Sequence, residues 1–493
     1  MRRILLVVIL YTFSIGDLCC QILPKDGSGL NYRIIGFSID SLKGAHQYLL
    51  QVAAGAYYSE DSFVKNLSLN LPIDSNRVVA EVPYWAYPYT WRIISKADTG
   101  KIKRASFHHF YTSLIADLDT TKYRLTITQA AKKYKDALVF LDNNRAMYDM
   151  NGHMVWFLPD KDFKELLDIH SMPDMRDMKV TEQGTITYML NGETYEIDYN
   201  GKLLWKGPNT GEVVGDKTER YNHQFSRLAN GHYMVMGLEK DVVWPPHANN
   251  TIHNTFGTLI EYNEAGKVVW SWKTSGYLPY SDLMYFQTTT DSNNKSLFLQ
   301  ENSFYLDNKS GLIYLSCRNI SRIIKIKYPE GDVLGYYGER FSANHRQTSK
   351  NPLFCNQHSI QRLRSGNICF YNNNTCKTDA PELIIARENK KAAEGLDILW
   401  KFDCGFGQDF TKIDKLRGGN VLELEDGSLF ASMGGEYSRI FIVNLNKELL
   451  WSALPEEWNY TEKRWTPRYQ YRCSIISRRK ELEKLIWAQE AGN

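Results

Sequence analysis

The sequence predicts an all-β protein, in which a six-bladed β-propeller follows an N-terminal β-sandwich of the immunoglobulin or fibronectin type. Two observations favour this fold. A polar turn followed by an aromatic residue recurs six times, at turns near residues 151, 200, 265, 331, 395 and 447. A second phrase with its own turn alternates with the first. A repeat period of this length is typical of propellers and solenoids.

The first repeated phrase has the composition of a β-hairpin. Its turn usually ends in Gly, which tolerates the positive φ that tight hairpin turns need. One hairpin cannot bury its own apolar face, whereas six hairpins around an axis can, and they then enclose a central channel. The copies run from Tyr148 to Trp156, Ile197 to Trp205, Tyr262 to Trp270, Ile326 to Tyr336, Lys391 to Trp400 and Val443 to Trp451.

The second phrase predicts the inner hairpin of each blade. It occurs at 225–235, 360–370 and 421–430, with a looser copy at 304–315. Residues just before an innermost strand of a propeller face the mouth of the channel. His223, Asn302 and His358 occupy these positions, and Arg318 follows the second strand of the looser copy. These side chains are the candidates for a site.

The chain is expected to divide into a signal peptide and two domains. Arg2 and Arg3 precede the apolar run 4–13, which is the pattern of a signal peptide, here assigned to residues 1–20. Short alternating strands over residues 21–118 predict the β-sandwich. Residues 119–493 form the predicted propeller, with a short helix at 481–489. We expect a periplasmic or secreted protein without a membrane span.

Net charge and cysteine content narrow the range of possible functions further. The 59 basic and 56 acidic residues give a net charge of +3, which does not indicate nucleic-acid binding. Of eight cysteines, six follow the signal peptide, and some of these should pair in an oxidising compartment. The spacings are not those of a zinc site, and we expect no cofactor or metal. Whether Cys355 is bridged at all, and whether its partner would then be Cys369 or Cys376, is open.

Four short motifs resemble bacterial aryl-sulfate sulfotransferases. They are Tyr221-Asn-His-Gln-Phe, Gln300-Glu-Asn-Ser-Phe, Leu315-Ser-Cys-Arg-Asn and Phe354-Cys-Asn-Gln-His-Ser. The resemblance extends over roughly residues 130–475. It implies a propeller enzyme that moves a sulfuryl group from a phenol sulfate ester to another phenol, without the nucleotide donor PAPS. The sequence also lacks the GxxxxGK[ST] loop that cradles nucleotide phosphates.

The same resemblance implies roles for the candidate residues. His358 would be the nucleophile that carries the sulfuryl group in a ping-pong reaction, and Arg318 would bind the sulfonate oxygens. His223 would act as general acid and base, and Asn302 would hydrogen-bond the sulfuryl group. Gln300 stands where the family often has a second His. Glutamine forms hydrogen bonds but cannot carry a proton charge, so its effect on activity is open.

Other interpretations also fit the sequence. The protein could be a non-catalytic, exported binding propeller that recognises a glycan or a protein, since fold alone does not give function. A quinone-dependent dehydrogenase is disfavoured, because those propellers usually have eight blades. His223 and His358 could be packed core residues, Arg318 an ion-pair partner and Asn302 a turn residue. The physiological donor and acceptor and a homodimeric state are open.

Overall fold

The structure is a computed structural model. It describes residues 22–40, 45–97, 102–103, 106–113, 122–159, 175–242, 254–279, 299–338, 352–376, 379–389, 395–410, 417–435 and 438–488. The predicted signal peptide, residues 1–20, lies outside the described residues. The chain divides into two compact units, Met1–Ser113 and Leu114–Asn493. Both are mostly β in secondary structure. No described helix is both long and apolar enough to span a bilayer.

The first unit contains eight described strands and one short helix. They are β1 (Ser28–Leu30), β2 (Ile34–Ser38), β3 (Ala45–Ala54), α1 (Glu60–Lys65), β4 (Leu67–Ile73), β5 (Arg77–Glu81), β6 (Pro88–Ala97), β7 (Ile102–Lys103) and β8 (His108–Thr112).

Two sheets form in the first unit. The larger has the order β1-β8-β6-β3-β4, with β7 on β6, and the smaller pairs β2 with β5. The ring of Phe37 in β2 lies 5.3 Å from Trp91 and 6.1 Å from Phe110 in the larger sheet. All three side chains are buried. The smaller sheet therefore packs on the larger through a shared aromatic core.

The second unit is built from short strands in a regular succession. They are β9 (Tyr123–Gln129), β10 (Leu138–Leu141), β11 (Ala146–Asp149), β12 (Met154–Phe157), β13 (Met175–Val180), β14 (Ile186–Leu190), β15 (Glu193–Ile197), β16 (Leu203–Lys206), β17 (Phe225–Arg227), β18 (Tyr233–Val242), β19 (Asn254–Tyr262), β20 (Val268–Lys273), β21 (Glu301–Asp307), β22 (Leu312–Cys317), β23 (Arg322–Lys327), β24 (Val333–Gly338), β25 (His358–Arg362), β26 (Ile368–Asn372), β27 (Glu382–Glu388), β28 (Leu396–Asp403), β29 (Asn420–Glu423), β30 (Leu429–Ser432), β31 (Ile440–Val443), β32 (Leu449–Asn459), β33 (Arg464–Pro467) and β34 (Cys473–Ile476). Single 3-10 turns occur at Lys132–Tyr134, Asp142–Asn144 and Thr274–Gly276, and helix α2 spans Arg479–Trp487.

These strands form six antiparallel sheets, which we number I to VI. Sheet I has the order β34-β10-β11-β12, and sheets II to V are the meanders β13–β16, β17–β20, β21–β24 and β25–β28. Sheet VI contains β29-β30-β31-β32-β33, with β9 also on β32. We call β34, β13, β17, β21, β25 and β29 the lead strands. Because β34 pairs with β10, the last strand of the chain completes the first sheet of this unit.

In four of the six copies, the aromatic residue of the repeated phrase bonds one sheet to the next. The indole N–H of a Trp donates to a backbone carbonyl in the turn of the following sheet. This bond joins Trp156 to Tyr199 (2.8 Å), Trp270 to Pro329 (2.7 Å), Trp400 to Leu445 (2.9 Å) and Trp451 to Met150 (3.1 Å). The last of these bonds runs from sheet VI back to sheet I.

Apolar side chains fill the space between neighbouring sheets. Sheets II and III share Met189, Trp205, Phe225 and Tyr233; III and IV share Met236, Leu259, Ile313 and Leu315; IV and V share Tyr314, Ile323, Phe370 and Ile384; V and VI share Tyr371, Leu383, Leu429 and Phe441. Sheets III, IV and V thus each bury one face against the sheet before them and the other against the sheet after them, which explains why one short phrase is repeated.

Turns of the repeated phrase place one residue in the left-handed region of the backbone. The sixth turn has Lys447 in the left-handed region (φ 68°), where the other copies favour Gly. At Gly152 (φ 90°) the Gly is required, because a Cβ there would lie 2.2 Å from the carbonyl oxygen of Leu125.

The C-terminal helix begins at Arg479, two residues before the start predicted from the sequence at 481.

Candidate active site

The six lead strands begin around one cavity in the second unit. The cavity has a volume of about 840 Å³. Sheets I to VI each contribute a residue to its lining: Tyr471, Arg176, His223, Gln300, His358 and Arg417, respectively. The cavity therefore collects residues that are far apart in the sequence. A second cavity of about 660 Å³, lined by Lys179, Ser359 and Arg472 among others, contains neither of these histidines.

Backbone irregularities occur at, and directly beside, several residues that line the cavity. His223 (φ 61°) and Gln300 (φ 54°) adopt left-handed conformations, as does Ser359 (φ 55°), which follows the candidate nucleophile. Such a conformation costs a non-glycine residue roughly 1–2 kcal/mol. The pairing register also shifts at the start of β21 and β25. Shifts of this kind redirect side chains next to active sites.

His358 is held in one tautomer. Its Nδ1 lies 2.6 Å from Oδ1 of Asn373 and 3.2 Å from the carbonyl oxygen of Asn356, both of which only accept hydrogen bonds. The amide of Asn373 is itself oriented, because its Nδ2 donates to the carbonyl oxygen of Gly418 (3.1 Å). Nδ1 of His358 therefore carries the proton, and Nε2 presents a lone pair.

His358 is also kept neutral. Its side chain is 1% exposed. Burial, followed by the nearby positive charges of Arg318 and Arg472, lowers its pKa to about 3. The backbone N–H of Gly418 donates a hydrogen bond to Nε2 (3.3 Å), so the lone pair of Nε2 accepts this bond in the resting protein. The result is an uncharged imidazole with its basic nitrogen at the cavity.

A disulfide joins the two segments that hold His358. Cys355 lies three residues before it and is bonded to Cys376, three residues after Asn373. Cys369, the other partner that the sequence left open, is a buried free thiol. The bridge therefore ties the start of β25 to the loop that carries the orienting amide.

His223 is in contact with Tyr471. Its Nδ1 is 2.7 Å from the Tyr471 hydroxyl, and its Nε2 is buried with no hydrogen-bond partner among the residues the structure describes. Burial and then the charge of Arg176 hold the pKa of His223 well below the usual value for an imidazole. Both candidate histidines are thus neutral bases.

Arg318 is not among the residues that line the cavity, but it contacts Gln300, which does line it. Its Nη1 donates to Oε1 of Gln300 (3.1 Å) and to Oδ1 of Asn319 (2.8 Å). Its Nε is buried and has no hydrogen-bond partner within the described part of the chain. Burial and then the charge of Arg417 lower the pKa of Arg318. The positive charge of Arg318 therefore acts on His358.

Asn302 has a different position from the one expected. It is fully buried and is not among the residues that line the cavity. Its Nδ2 donates to the carbonyl oxygen of Gln357 (2.7 Å), directly before His358. The register shift between Glu301 and Ser303 breaks the alternation of the strand and turns this side chain away from the cavity. Asn302 contacts the nucleophile's strand, and the predicted contact with a sulfuryl group stays a prediction.

The sequence-based reasoning missed four residues of the site: Arg176, Asn373, Arg417 and Tyr471. Asn373 belongs to an Asn-rich run, and Tyr471 to the segment that supplies the last strand, so both were visible as motifs without an assigned role. Their partners are 15 and 248 residues away along the chain. No described group of three or more His, Cys, Asp or Glu residues is arranged to hold a metal ion.

A family model described as Arylsulfotransferase (ASST) matches residues 124–394. This range covers more than half of the chain and includes His223, Gln300, Asn302, Arg318 and His358. No curated protein matches the chain significantly.

Solved structures resemble the chain only weakly. A protein of unknown function from Bacteroides caccae is 12% identical, covers 67% of this chain and 93% of its own, and gives a TM-score of 0.37. The PQQ domain of a pyranose dehydrogenase from Coprinopsis cinerea is 13% identical, covers 63% and 83%, and gives a TM-score of 0.27. At TM-scores this low, these similarities support no conclusion about this chain.

Proposed function

The chain belongs to the arylsulfotransferase family and is a sulfotransferase, and from this premise we propose a specific reaction. It moves a sulfuryl group from a phenolic sulfate ester to a phenol, without PAPS, through a covalent sulfohistidine at His358. The reaction is ping-pong, because the donor phenol leaves before the acceptor phenol attacks.

One observation carries this proposal: the neutral, single-tautomer imidazole of His358. A nucleophilic nitrogen must present a lone pair, and activation usually requires a neighbouring group that orients it. Asn373 supplies that orientation through Nδ1. The low pKa of His358 keeps Nε2 unprotonated at any ordinary pH. Attack of Nε2 on sulfur forms the N–S bond as the S–O bond to the phenol breaks.

Arg318 and Gly418 would stabilise the sulfuryl group during transfer. The planar guanidinium of Arg suits sulfonate oxygens, and the Gly418 N–H already lies 3.3 Å from Nε2. Fixed donors aimed at developing charge are a major source of rate enhancement. Gln300 would hold Arg318 in place through its Oε1. A glutamine is sufficient for that task, since no proton is transferred there.

The proton on the phenols would be handled by His223. Its Nε2 has no partner in the described residues, which leaves this nitrogen available to a substrate oxygen. In the first half-reaction it would assist departure of the donor phenolate. In the second it would receive the proton of the acceptor phenol.

We further propose the architecture in which this site operates. Sheets I to VI are the blades of a closed six-bladed propeller, which the bond from Trp451 to Met150 and the pairing of β34 with β10 support. Residues 21–118 form a β-sandwich, residues 119–493 the catalytic propeller, and residues 1–20 a signal peptide. Export to a periplasm or the exterior accords with the Cys355–Cys376 disulfide, because such bonds persist in oxidising compartments.

The test follows p-nitrophenol release from p-nitrophenyl sulfate, with and without phenol as acceptor. We expect release that depends on phenol, together with an SO3 adduct on the His358 peptide when the donor is added alone. His358→Ala should lose both signals. His232→Ala is the matched control, because His232 bonds to Glu261 (2.7 Å) outside the cavity. Release without an adduct on His358 would exclude the covalent mechanism, and no release from any aryl sulfate would favour a binding module.

A further inference from the structure

Tyr471 lies between the two histidines of the cavity. Its ring is stacked on His223 (centroids 5.7 Å apart, planes at 25°) and meets His358 edge-on (6.2 Å, 75°). Its hydroxyl is 2.7 Å from Nδ1 of His223, and the residue is 3% exposed. The phenol side chain of Tyr471 is therefore buried inside a site whose proposed substrates are also phenols.

The surroundings of His223 define which of its nitrogens carries the proton. Nη1 of Arg176 lies 3.5 Å from Nδ1, and a guanidinium can only donate. Nδ1 is therefore an acceptor, and the Tyr471 hydroxyl also donates to it. In a neutral imidazole the proton then resides on Nε2, which is the nitrogen without a partner in the described residues.

A neutral imidazole is a poor acid when it acts alone. It can pass its Nε2 proton to a departing phenolate only if Nδ1 gains a proton at the same time. The Tyr471 hydroxyl is the group placed to supply that proton. Tyrosine and a simple phenol have similar acidity, with pKa values of about 10, so the exchange between them is nearly balanced.

Two cations lie over the ring that would become a phenolate. The guanidinium carbon of Arg176 is 4.7 Å from the Tyr471 ring centroid, and that of Arg472 is 5.4 Å away. Nearby positive charge favours the ionised form of an acidic group. A Tyr471 phenolate would thus form next to charges that stabilise it.

We propose that Tyr471 is a proton relay residue, which acts through His223 to protonate the departing phenol and to deprotonate the incoming one. The proposal rests on the sulfotransferase reaction described above. As the S–O bond breaks, the electron pair goes to the aryl oxygen, which takes the Nε2 proton of His223. Nδ1 takes the Tyr471 proton, so His223 stays neutral in its other tautomer and Tyr471 carries the negative charge that the donor brought.

The second half-reaction returns each proton. The acceptor oxygen attacks sulfur, its proton passes to Nε2 of His223, and the Nδ1 proton returns to Tyr471. The N–S bond breaks, and its electron pair returns to Nε2 of His358. No oxidant, metal or further reactant is needed for this cycle.

The relay is tested by comparing two donors whose leaving groups differ in basicity. Tyr471→Phe keeps the ring but removes the hydroxyl. The measured quantity is kcat/KM for the donor, which in a ping-pong reaction reports the donor half-reaction alone. With phenyl sulfate, whose phenolate is strongly basic, kcat/KM should fall about a hundredfold, which is a typical contribution of general acid catalysis. With p-nitrophenyl sulfate, whose phenolate is weakly basic, kcat/KM should fall only a few-fold. Tyr469→Phe, which removes another hydroxyl from the same cavity, should change both donors by the same factor.

Equal losses for the two donors in Tyr471→Phe would overturn the relay while leaving the sulfohistidine mechanism intact. Loss of the adduct on His358 in the unaltered protein would instead overturn the proposed function. A readout that needs no turnover is the ¹⁵N NMR spectrum of the resting protein. It should show His223 with its proton on Nε2, and a proton on Nδ1 would overturn the relay whether or not the protein is active.

Discussion

Asn373 decides which nitrogen of His358 is free to react. Its Oδ1 accepts from Nδ1, and its own orientation depends on the bond from Nδ2 to Gly418. The nucleophile thus depends on an amide that does not itself reach the substrate. The protonation state of one imidazole nitrogen is thus set by the group that the other nitrogen contacts.

We expect Asn373→Ala to lower kcat roughly fivefold, the equivalent of one net hydrogen bond of about 1 kcal/mol. Asn373→Asp keeps an acceptor but adds a negative charge, which raises the pKa of His358 and should cause activity to be lost as the pH falls. Turnover of p-nitrophenyl sulfate against pH measures both effects. Asn374→Ala is the control, since its Nδ2 bonds Ala380 (3.1 Å) and not the histidine. An Asn373→Ala enzyme with normal kcat would contradict this role.

The depressed pKa of His358 has a consequence for the pH profile. An ordinary imidazole gains a proton near pH 6.5, whereas this one does so at about 3. We expect kcat/KM for p-nitrophenyl sulfate to show no imidazole titration between about pH 5 and 8. An inflection near 6.5 that disappears in His223→Gln would place the titration on the other histidine, and one that remains would contradict the assignment.

The lowered pKa of His358 also affects the free energy of unfolding. The unfolded chain binds a proton at His358 below about pH 6.5, but the folded chain does not until about pH 3. Unfolding is therefore favoured increasingly as the pH falls through this window, and the free energy of unfolding should decline with it. Denaturant titrations of the protein and of His358→Gln, compared across the window, should show a smaller decline in the variant.

At the scale of elements, the loop between β26 and β27 supports the start of β25. The Cys355–Cys376 bond closes this support, and the backbone N–H of Cys355 also donates to Oδ1 of Asn372 (2.9 Å). The lead strand carries the nucleophile, and the loop carries the amide that orients it. The catalytic geometry is therefore a property of the pair of segments and not of either one.

Removing the bridge should affect activity as well as stability. Replacing Cys355 and Cys376 together by Ser should lower the free energy of unfolding by about 3 kcal/mol, the usual effect for a loop of this size. Turnover should fall under conditions where the variant is still folded, because His358 and Asn373 lose their fixed spacing. Cys369→Ala, which removes a free buried thiol, is the control. Normal turnover in the folded double variant would show that the bridge acts on stability alone.

At the scale of the whole second unit, β34 connects the end of the chain to its beginning. It is a lead strand, and Tyr471 lies two residues before its start. The contacts of β34 with β13 and β30 also link sheet I to sheets II and VI. This strand thus links sheet I to its two neighbours, and the segment just before it supplies a residue of the site.

Truncation separates these contributions from that of helix α2. A chain that ends at Gln470 lacks β34 and should not give a cooperative thermal transition, because sheet I loses its lead strand. A chain that ends at Ser477 lacks only α2, whose Leu482, Leu485 and Ile486 are buried, and should melt earlier but still cooperatively. Thermal unfolding followed by circular dichroism distinguishes the two. Equal melting of both truncated chains would show that β34 is dispensable for closure.

The repeats determined the element order of this protein without help from tertiary structure. Each repeated phrase encodes a local hairpin, since turn residues and alternating apolar residues act within a few positions of one another. The motifs around His223, Gln300, Arg318 and His358 likewise identified the family and the residues next to the cavity. Only the tertiary structure decided that Cys355 pairs with Cys376, that Asn302 turns away from the cavity, and that Asn373 and Tyr471 set the protonation of the two histidines. Those facts depend on contacts between distant segments and on bulges in the strands, and neither leaves a periodic signal in a sequence.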